Sequence, residues 1–534
     1  NAGAVTWADG SLGWAPALGG AVFVDQANSL VGTSVDDQVG TYVFPLYNGN
    51  YVVQSPLWDQ PASPSASAVP DVGASTWANG DIGKSGPISS DNSLVGVNAG
   101  DRVGSDIVFL GGAFEVSSNY VTISGGALDS WATWIDGAGA TSVVGPVSTL
   151  NSQVAFGTEG ILDAYPLVNG NYVLSAPFWD LSVDVANVGI LAFGQGSGGT
   201  VGEIGSSNSL TGSTADDQIG LTGVVPLSSG AFLVSSPYWD SGLIPDAGAV
   251  SWFSGTAPVV GTLSSSNSLV GSSPFDHVGG LLLSTGQMVR AVSTLSNGNY
   301  VVTSPSWDDP LLSLADVGAV TWGDGLTGTA GPVSSSNSLV GSASGDQIGF
   351  RRTFYASSQA SGANGVTPLS NGSYVVTSTE WGQAVGAVTL LTGDTLTSAV
   401  VGSSNSLVGT TSTLTSSSPD RIGSGGTVAL SNSNYIVRSP EWSDGRGAVS
   451  WGDGNASSSA PLIGSVSTSN SLIGTNPGDH VGISNLNVDV GGVVQLDTGD
   501  YLVVSSLWDS PSQSGGLLVD VGAVTWASGT AGLV

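Results

Sequence analysis

One arrangement recurs along the whole chain and limits what it can fold into. A tight turn leads to an aromatic residue and a β-branched run, then an S-P-x-W-D piece, a G-A-V-T-W strand, and an N-S-L-V-G loop closed by an acidic residue before Val-Gly or Ile-Gly. Residues 297 to 349 hold one complete copy, NGNYVVTSPSWDDPLLSLADVGAVTWGDGLTGTAGPVSSSNSLVGSASGDQIG. Its aromatic position recurs as Tyr51, Tyr120, Tyr172, Phe232, Tyr300, Tyr374, Tyr435 and Tyr501, at spacings of 52 to 74 residues. That period is too long for a leucine-rich or hexapeptide solenoid and suits a unit of several strands. The repeat also overrides the prior that 534 residues make three or four domains, so a single repeat domain over 1–534 is expected.

Each piece has a local physical reading. The Asn-Gly of NGNY can take the positive φ angles of a two-residue hairpin turn, which places hairpin units at approximately 40–59, 104–124, 160–180, 220–240, 288–308, 365–381, 425–442 and 491–509. Proline in S-P-x-W-D cannot donate to a ladder and ends the strand. G-A-V-T-W alternates with period two and reads as a short strand. It recurs at Gly3 to Trp7, Gly73 to Trp77, Gly248 to Trp252, Gly318 to Trp322, Gly447 to Trp451 and Gly522 to Trp526, with looser copies ending at Trp134, Phe193 and Leu390. In the loop, Asn28, Asn92, Asn208, Asn267, Asn337 and Asn470 stand nine residues before Asp37, Asp101, Asp217, Asp276, Asp346 and Asp479, while Asn405 and Asp420 are fifteen apart. A fixed amide-to-carboxylate spacing implies a loop held by side-chain-to-backbone hydrogen bonds.

About four short strands per unit is the content of one propeller blade. The expected fold is therefore all-β, a β-propeller of about eight four-stranded blades, with seven blades plus extra strands or an open β-repeat array as alternatives. With 80 Gly, 16 Trp and few charged residues, the composition suits many short strands joined by turns and argues against disorder.

The order of the pieces resembles the FG-GAP repeat of integrin α-chain propellers. Ile348-Gly349 stands where FG would be, Ser304-Pro305 where GAP would be, and Gly318 to Trp322 where the following strand would be. The wording of the repeats also resembles tandem repeats of large secreted bacterial proteins of the haemagglutinin or adhesin type. The first resemblance implies a propeller and, in calcium-binding members, several Asp residues in the hairpin loop. Here the loops read YNGN, SNGN or SNSN, too few carboxylates for a hard cation. Only Asp497 and Asp500 in LDTGDY approach such a set, so they are the calcium candidates and no other cofactor is expected.

Charge narrows the partners. Forty acidic residues against Lys84 and seven arginines give a net charge of −32, which repels phosphate backbones and anionic lipid, so nucleic acid is excluded as a partner. No apolar run is long enough to cross a membrane, and the absence of cysteine removes disulfides and thiolate chemistry. His277 and His480 share one repeated slot, as do nearly all Asp and Ser residues, whereas a reaction needs one asymmetric constellation. No catalytic residue is assigned and an enzyme is not expected.

Function is then expected at departures from the repeat. Residues 350–365 add length and two of the eight basic residues, making Arg351 and Arg352 candidate interface residues that pair with acidic surface on a neighbour. Nine G-A-V-T-W strands for eight hairpins leave one strand in excess, which makes Gly3, Ala4, Val5, Thr6 and Trp7 and Gly522, Ala523, Val524, Thr525 and Trp526 candidates for strand exchange between copies. Together these point to a secreted, non-enzymatic structural or adhesive protein, extracellular or at the cell surface, that builds a filament, surface layer or matrix from copies of itself. The alternative is a lectin-like propeller that stacks cell-surface or matrix glycans on Trp58, Trp179, Trp239, Trp307 and Trp508; against it stands the packing of these same rings between blades.

Overall fold

The computed structural model describes all residues except 11–22, 111–119, 126–128, 137–143, 157–161, 354–361, 412–417, 456–460, 485–491, 512–516 and 533–534. Among the described residues the chain is all-β; its only helical elements are the four-residue turns Trp381–Ala384 and Trp442–Gly445. Among the described residues, eight hairpins of the repeated kind and nine G-A-V-T-W-type strands are found. The chain divides into two compact units: Asn1–Leu233 with Phe253–Leu263, and Val234–Trp252 with Ser264–Val534.

In the second unit one sheet shows the pattern. Val292–Thr294, Tyr300–Ser304, Ala319–Gly323 and Ser338–Val340 form an antiparallel meander, the topology of a propeller blade. A fifth, parallel strand of two residues, Ala399–Val400, comes from the following repeat. The sheet beginning at Val366–Pro368 has the same order, closed by Gly464–Ser465. Thr427–Ala429 opens a four-stranded sheet, and Val493–Gln495, Tyr501–Ser505 and Ala523–Ala527 form one of three. In the first unit, five-stranded sheets of this order begin at Tyr42–Pro45, Asp106–Phe109 and Asp163–Pro166. Ala4–Thr6 and Ser29–Val31 make a partial sheet with Gly86–Pro87.

The core lies between consecutive sheets. Val301, Val320 and Leu339 of one repeat pack with Tyr374, Val376, Ala387 and Val408 of the next. Val375, Val388 and Leu407 then pack with Tyr435, Val437 and Ala448. Strand residues alternate between the two neighbours, so both faces of a strand such as Tyr300–Ser304 are buried. A single repeat cannot cover its own apolar faces, which is why stability depends on stacking.

Candidate functional site: the connector end of the second unit

Strand direction in a meander fixes where loops fall. The hairpin between strands one and two and the loop between strands three and four lie at one end of each sheet. The loop between strands two and three and the connector to the next repeat lie at the other. The repeated polar residues divide between these ends.

At the hairpin end, glycine carbonyls join consecutive repeats. The Gly393 carbonyl accepts from Trp322 Nε1 at 2.7 Å and from the Nδ2 atoms of Asn297 and Asn299, each at 2.9 Å. Two repeats further on, the Gly529 carbonyl accepts from Trp451, Asn432 and Asn434. In the first unit Trp7 and Trp134 donate to the carbonyls of Gly80 and Gly196. Asp500, one of the calcium candidates, occupies the hairpin slot of Asn299 and Asn434, and its Oδ1 accepts from the Gly529 N–H at 3.2 Å. Asp497 lies three residues earlier, before the turn Thr498-Gly499.

At the connector end of the second unit, each repeated Asp holds two segments. Asp276 Oδ2 accepts from the N–H groups of Ser272 and Ser273, and its Oδ1 from that of Asp308 in the next repeat, at 2.7, 2.8 and 2.9 Å. Asp346, Asp420 and Asp479 repeat this with Gly382, Ser443 and Asp509. The extra six residues before Asp420 leave its carboxylate in place, bonded to the N–H groups of Thr410 and Thr411. The residue after each Asp adopts positive φ, among them His277 and His480, whose Nδ1 atoms lie 3.1 and 2.9 Å from the carbonyls of Pro237 and Pro440. Both histidines thus satisfy backbone.

Burial pushes the Asp276 carboxyl up to about 6, against the pull of the Asp308, Ser273 and Ser272 N–H groups and with the Asp308 charge adding to the rise. The folded state then holds this proton more tightly than the unfolded chain, so its contribution to stability is present below the usual carboxylate pKa and lost as pH rises through about 6. The stability of the native chain minus that of Asp276→Asn is expected to fall between pH ~4 and ~6.5 in urea titrations. A difference that grows with pH would show the three N–H donors outweighing burial.

Two connectors in this unit depart from the repeat by adding a hairpin: Gly280–Leu282 with Met288–Arg290, and Phe350–Arg352 with Gly362–Asn364. The second is the 350–365 insertion; its residues 354–361 lie outside the described set. It brings Arg351 and Arg352 into an intramolecular cluster. The Arg352 N–H donates to Thr379 Oγ1 at 2.8 Å, and its Nη1 is 3.9 Å from Glu380 Oε1. Arg421 bridges two glutamates, with Nε 3.5 Å from Glu380 Oε1 and Nη1 3.3 Å from Glu441 Oε1. Arg351 Nη1 donates to the Ser424 carbonyl at 3.4 Å, and Arg438, 8% exposed, stands beside it. Burial raises the Glu441 carboxyl, opposed chiefly by the Arg421 charge. The sequence signal for this cluster is Glu ahead of Trp381 and Trp442 together with Arg in the slot after Asp420. Sequence reasoning from the insertion alone reaches only the Arg351-Arg352 pair.

The S-P-x-W-D tryptophans are mostly interior. Trp58 and Trp307 are each 1% exposed, and Trp179 and Trp239 are also buried, so no ring face is open to a sugar at these four; Trp508 is half-buried. Their Asp partners are engaged by backbone, as where Asp308 Oδ1 accepts from the Asp316 N–H. Trp381 and Trp442 pack at the edges of the inter-sheet core.

The terminal strands differ from their internal copies. Val320 is buried in the complete sheet, whereas Val524 is 66% and Trp526 57% exposed in the three-stranded one. Ala4–Thr6 pairs with Ser29–Val31 and has no hairpin beside it in its sheet among the described residues.

Among solved structures, the chain is similar to one described as the structure of the Dos1 propeller, at 9% identity and a TM-score of 0.27, covering 91% of this chain and 90% of that one. A GH43 β-1,3-galactosidase shows 9% identity and a TM-score of 0.22 over 99% and 95% of the two chains, and NanB with optactamide 9% and 0.21 over 92% and 69%. Likenesses this distant carry neither fold nor chemistry across, and the blade topology rests on the strand pairing itself. No curated protein matches the chain. A family model described as a repeat of unknown function (DUF5650) matches residues 1–41, 45–105, 166–221, 226–280, 294–350, 368–419, 429–483 and 495–534. Five of these segments run from the end of the first strand past the connector Asp, the segment 368–419 stops one residue short of Asp420, the two terminal ones are partial, and 106–165 falls in a gap. The chain belongs to this family of repeats of unknown function.

Proposed function

We propose that the protein is a non-enzymatic structural or adhesive building block of an extracellular filament, surface layer or matrix, assembled from copies of itself through its terminal strands. The observation that carries this is the complementarity of the two partial sheets. One holds strands three and four of a blade, Ala4–Thr6 and Ser29–Val31; the other holds strands one to three and ends on the exposed Val524 and Trp526. Internal sheets pair Ala319 with Val340 and Thr321 with Ser338. The same register sets Ala523 of one copy opposite Val31 of another and Thr525 opposite Ser29. Replacing Ala4–Thr6 by Ala523–Ala527 exchanges main-chain hydrogen bonds one for one and adds burial of Val524 and the Trp526 ring, about 1.5–3 kcal/mol for a side chain such as Val. The resemblance to haemagglutinin- and adhesin-type repeats supports the same reading, as does the commitment of the repeated Asp, Asn and Trp groups to holding repeats together.

The chain has no cysteine, so a single engineered pair reports the junction. Oxidation of the Ser29→Cys, Thr525→Cys double variant is expected to give a ladder of cross-linked multimers on a non-reducing gel, with dimers and larger species by light scattering before oxidation. A cross-link formed only within one chain, or a particle that stays monomeric at all salt and calcium levels, would overturn the assembly.

A further inference from the structure

We propose that the groove occupied by residues 1–7 is a selective acceptor for the G-A-V-T-W segment of a second copy, residues 520–526, and that residues 1–7 are its built-in competitor, closing the groove until a neighbour displaces them. The identity of the occupant rests on the assembly reading; the selectivity rests on the groove itself. The two segments read Asn-Ala-Gly-Ala-Val-Thr-Trp and Asp-Val-Gly-Ala-Val-Thr-Trp, identical from the glycine onward. Among the described residues, the first has a fourth strand and a connector beside it, and the second has neither.

The groove reads its occupant at three side-chain positions. Gly3, at φ +76°, lies so close to the connector that a Cβ built there would stand 2.3 Å from the Val39 nitrogen, so only glycine fits. Thr6 Oγ1 and Ser29 Oγ share a hydrogen bond of 2.7 Å. Trp7 Nε1 donates to the Gly80 carbonyl at 2.7 Å, and its ring stands against Gly83. The main chain adds two contacts, the carbonyls of Asn1 and Ala2 accepting from the N–H groups of Gln38 and Val39. An internal sheet repeats these points: Gly318 approaches the Ile348 nitrogen to 2.1 Å by the same measure, Thr321 bonds Ser338 at 2.8 Å, and Trp322 bonds Gly393 at 2.7 Å. Residues 520–526 carry the same three residues without that setting. An added Cβ at Gly522 would meet nothing nearer than the Ser506 carbonyl oxygen at 3.3 Å, no fourth strand stands opposite Thr525 among the described residues, and Trp526 is 57% exposed.

Residues 1–7 hold the groove loosely. Ala4 is exposed and Val5 half-buried, whereas Ala319 and Val320 of the internal sheet are buried, because no hairpin flanks Ala4–Thr6 in its sheet among the described residues. The covalent link to Ser29 compensates, since it supplies an effective concentration on the order of millimolar. A second copy overcomes that advantage by bringing its own hairpin, Val493–Gln495 and Tyr501–Ser505, beside the incoming strand, so that a four-stranded sheet is completed. The competitor therefore slows joining without preventing it, and it covers an edge that would otherwise pair with any extended chain.

The test follows the fluorescence anisotropy of a fluorescein-labelled peptide of residues 520–527 as the full chain is titrated into it. Weak uptake by the native chain is expected. Trp7→Ala loosens the competitor alone and should strengthen peptide binding about tenfold, an increase that damage to the fold cannot produce. The same peptide with Gly522→Ala should not bind, since its Cβ would fall on the Val39 nitrogen. The proposal is overturned if Trp7→Ala leaves peptide affinity unchanged or lowers it, or if the Gly522→Ala peptide binds as tightly as the native one. Selective uptake by a chain that stays monomeric supports the groove and counts against the assembly reading. Multimers that form equally fast in the native chain and in Trp7→Ala keep the assembly and overturn the competitor.

Discussion

Asp346→Ala is expected to lower the unfolding free energy by about 3–5 kcal/mol, among the largest effects of any single substitution in the chain. Asp346 is 1% exposed. Its Oδ2 accepts from the N–H groups of Ser342 and Ala343 at 2.8 and 3.0 Å, and its Oδ1 from that of Gly382 at 2.9 Å in the next repeat. Alanine leaves three backbone donors without an acceptor, each costing about 1–3 kcal/mol where water cannot reach, offset by no longer burying a carboxylate. Asp346→Asn keeps one acceptor oxygen but turns an NH₂ towards donors, and should cost about half as much. Urea unfolding of the full chain measures both. Amide exchange at Ser342 and Gly382 should quicken together, because one side chain holds both segments. A loss below about 1 kcal/mol for the alanine variant would show the connector held by strand pairing alone.

The same residue divides what is legible in the sequence from what is not. Fixed spacing from Asn337 to Asp346 announces a side-chain-held loop, since such bonds are local. Asn-Gly turns and period-two runs announce eight hairpins for the same reason. What the spacing cannot show is that Asp346 also reaches Gly382, 36 residues on. The arginine cluster is illegible on the same ground: Arg352 and Arg421 are 69 residues apart in the chain, and only the return of every connector to one end of its sheet unites them. From sequence, Arg351 and Arg352 look like a surface pair seeking acid on a neighbour, whereas Arg352 faces Glu380 of its own chain. The fifth strands, such as Gly331–Pro332, leave no signal because two residues carry no period. The two kinds of tryptophan look alike in composition. One is buried between sheets, as Trp307 is; the other is half-buried and donates its indole N–H to the next repeat, as Trp322 does.

Gly393→Ala is expected to destabilise the chain by about 3–5 kcal/mol, although alanine favours ordered backbone more than glycine does. An added Cβ would stand 1.9 Å from the Gly372 carbonyl oxygen and 2.7 Å from Leu295 Cδ1. The nearer atom is backbone in a hairpin turn, so side-chain rotation cannot relieve the contact. Moving the segment instead carries away the Gly393 carbonyl, which accepts from Trp322, Asn297 and Asn299 together. One methyl group thereby competes with the whole junction between two repeats. Asn299→Ala removes one of those donors and also the acceptor for the Gly325 N–H, at 3.0 Å, and should cost about 1–2 kcal/mol. Because both variants act on one junction, the double variant should lose less than the two single losses combined. Gly529 offers an independent check: its added Cβ would stand 1.8 Å from the Gly499 carbonyl, and its own carbonyl accepts from Trp451, Asn432 and Asn434. Gly529→Ala should match Gly393→Ala within about 1 kcal/mol if the close approach is a property of the repeat. Tolerance of alanine at both positions would mean that the hairpin turns yield, and that inter-sheet packing alone sets the spacing of the repeats.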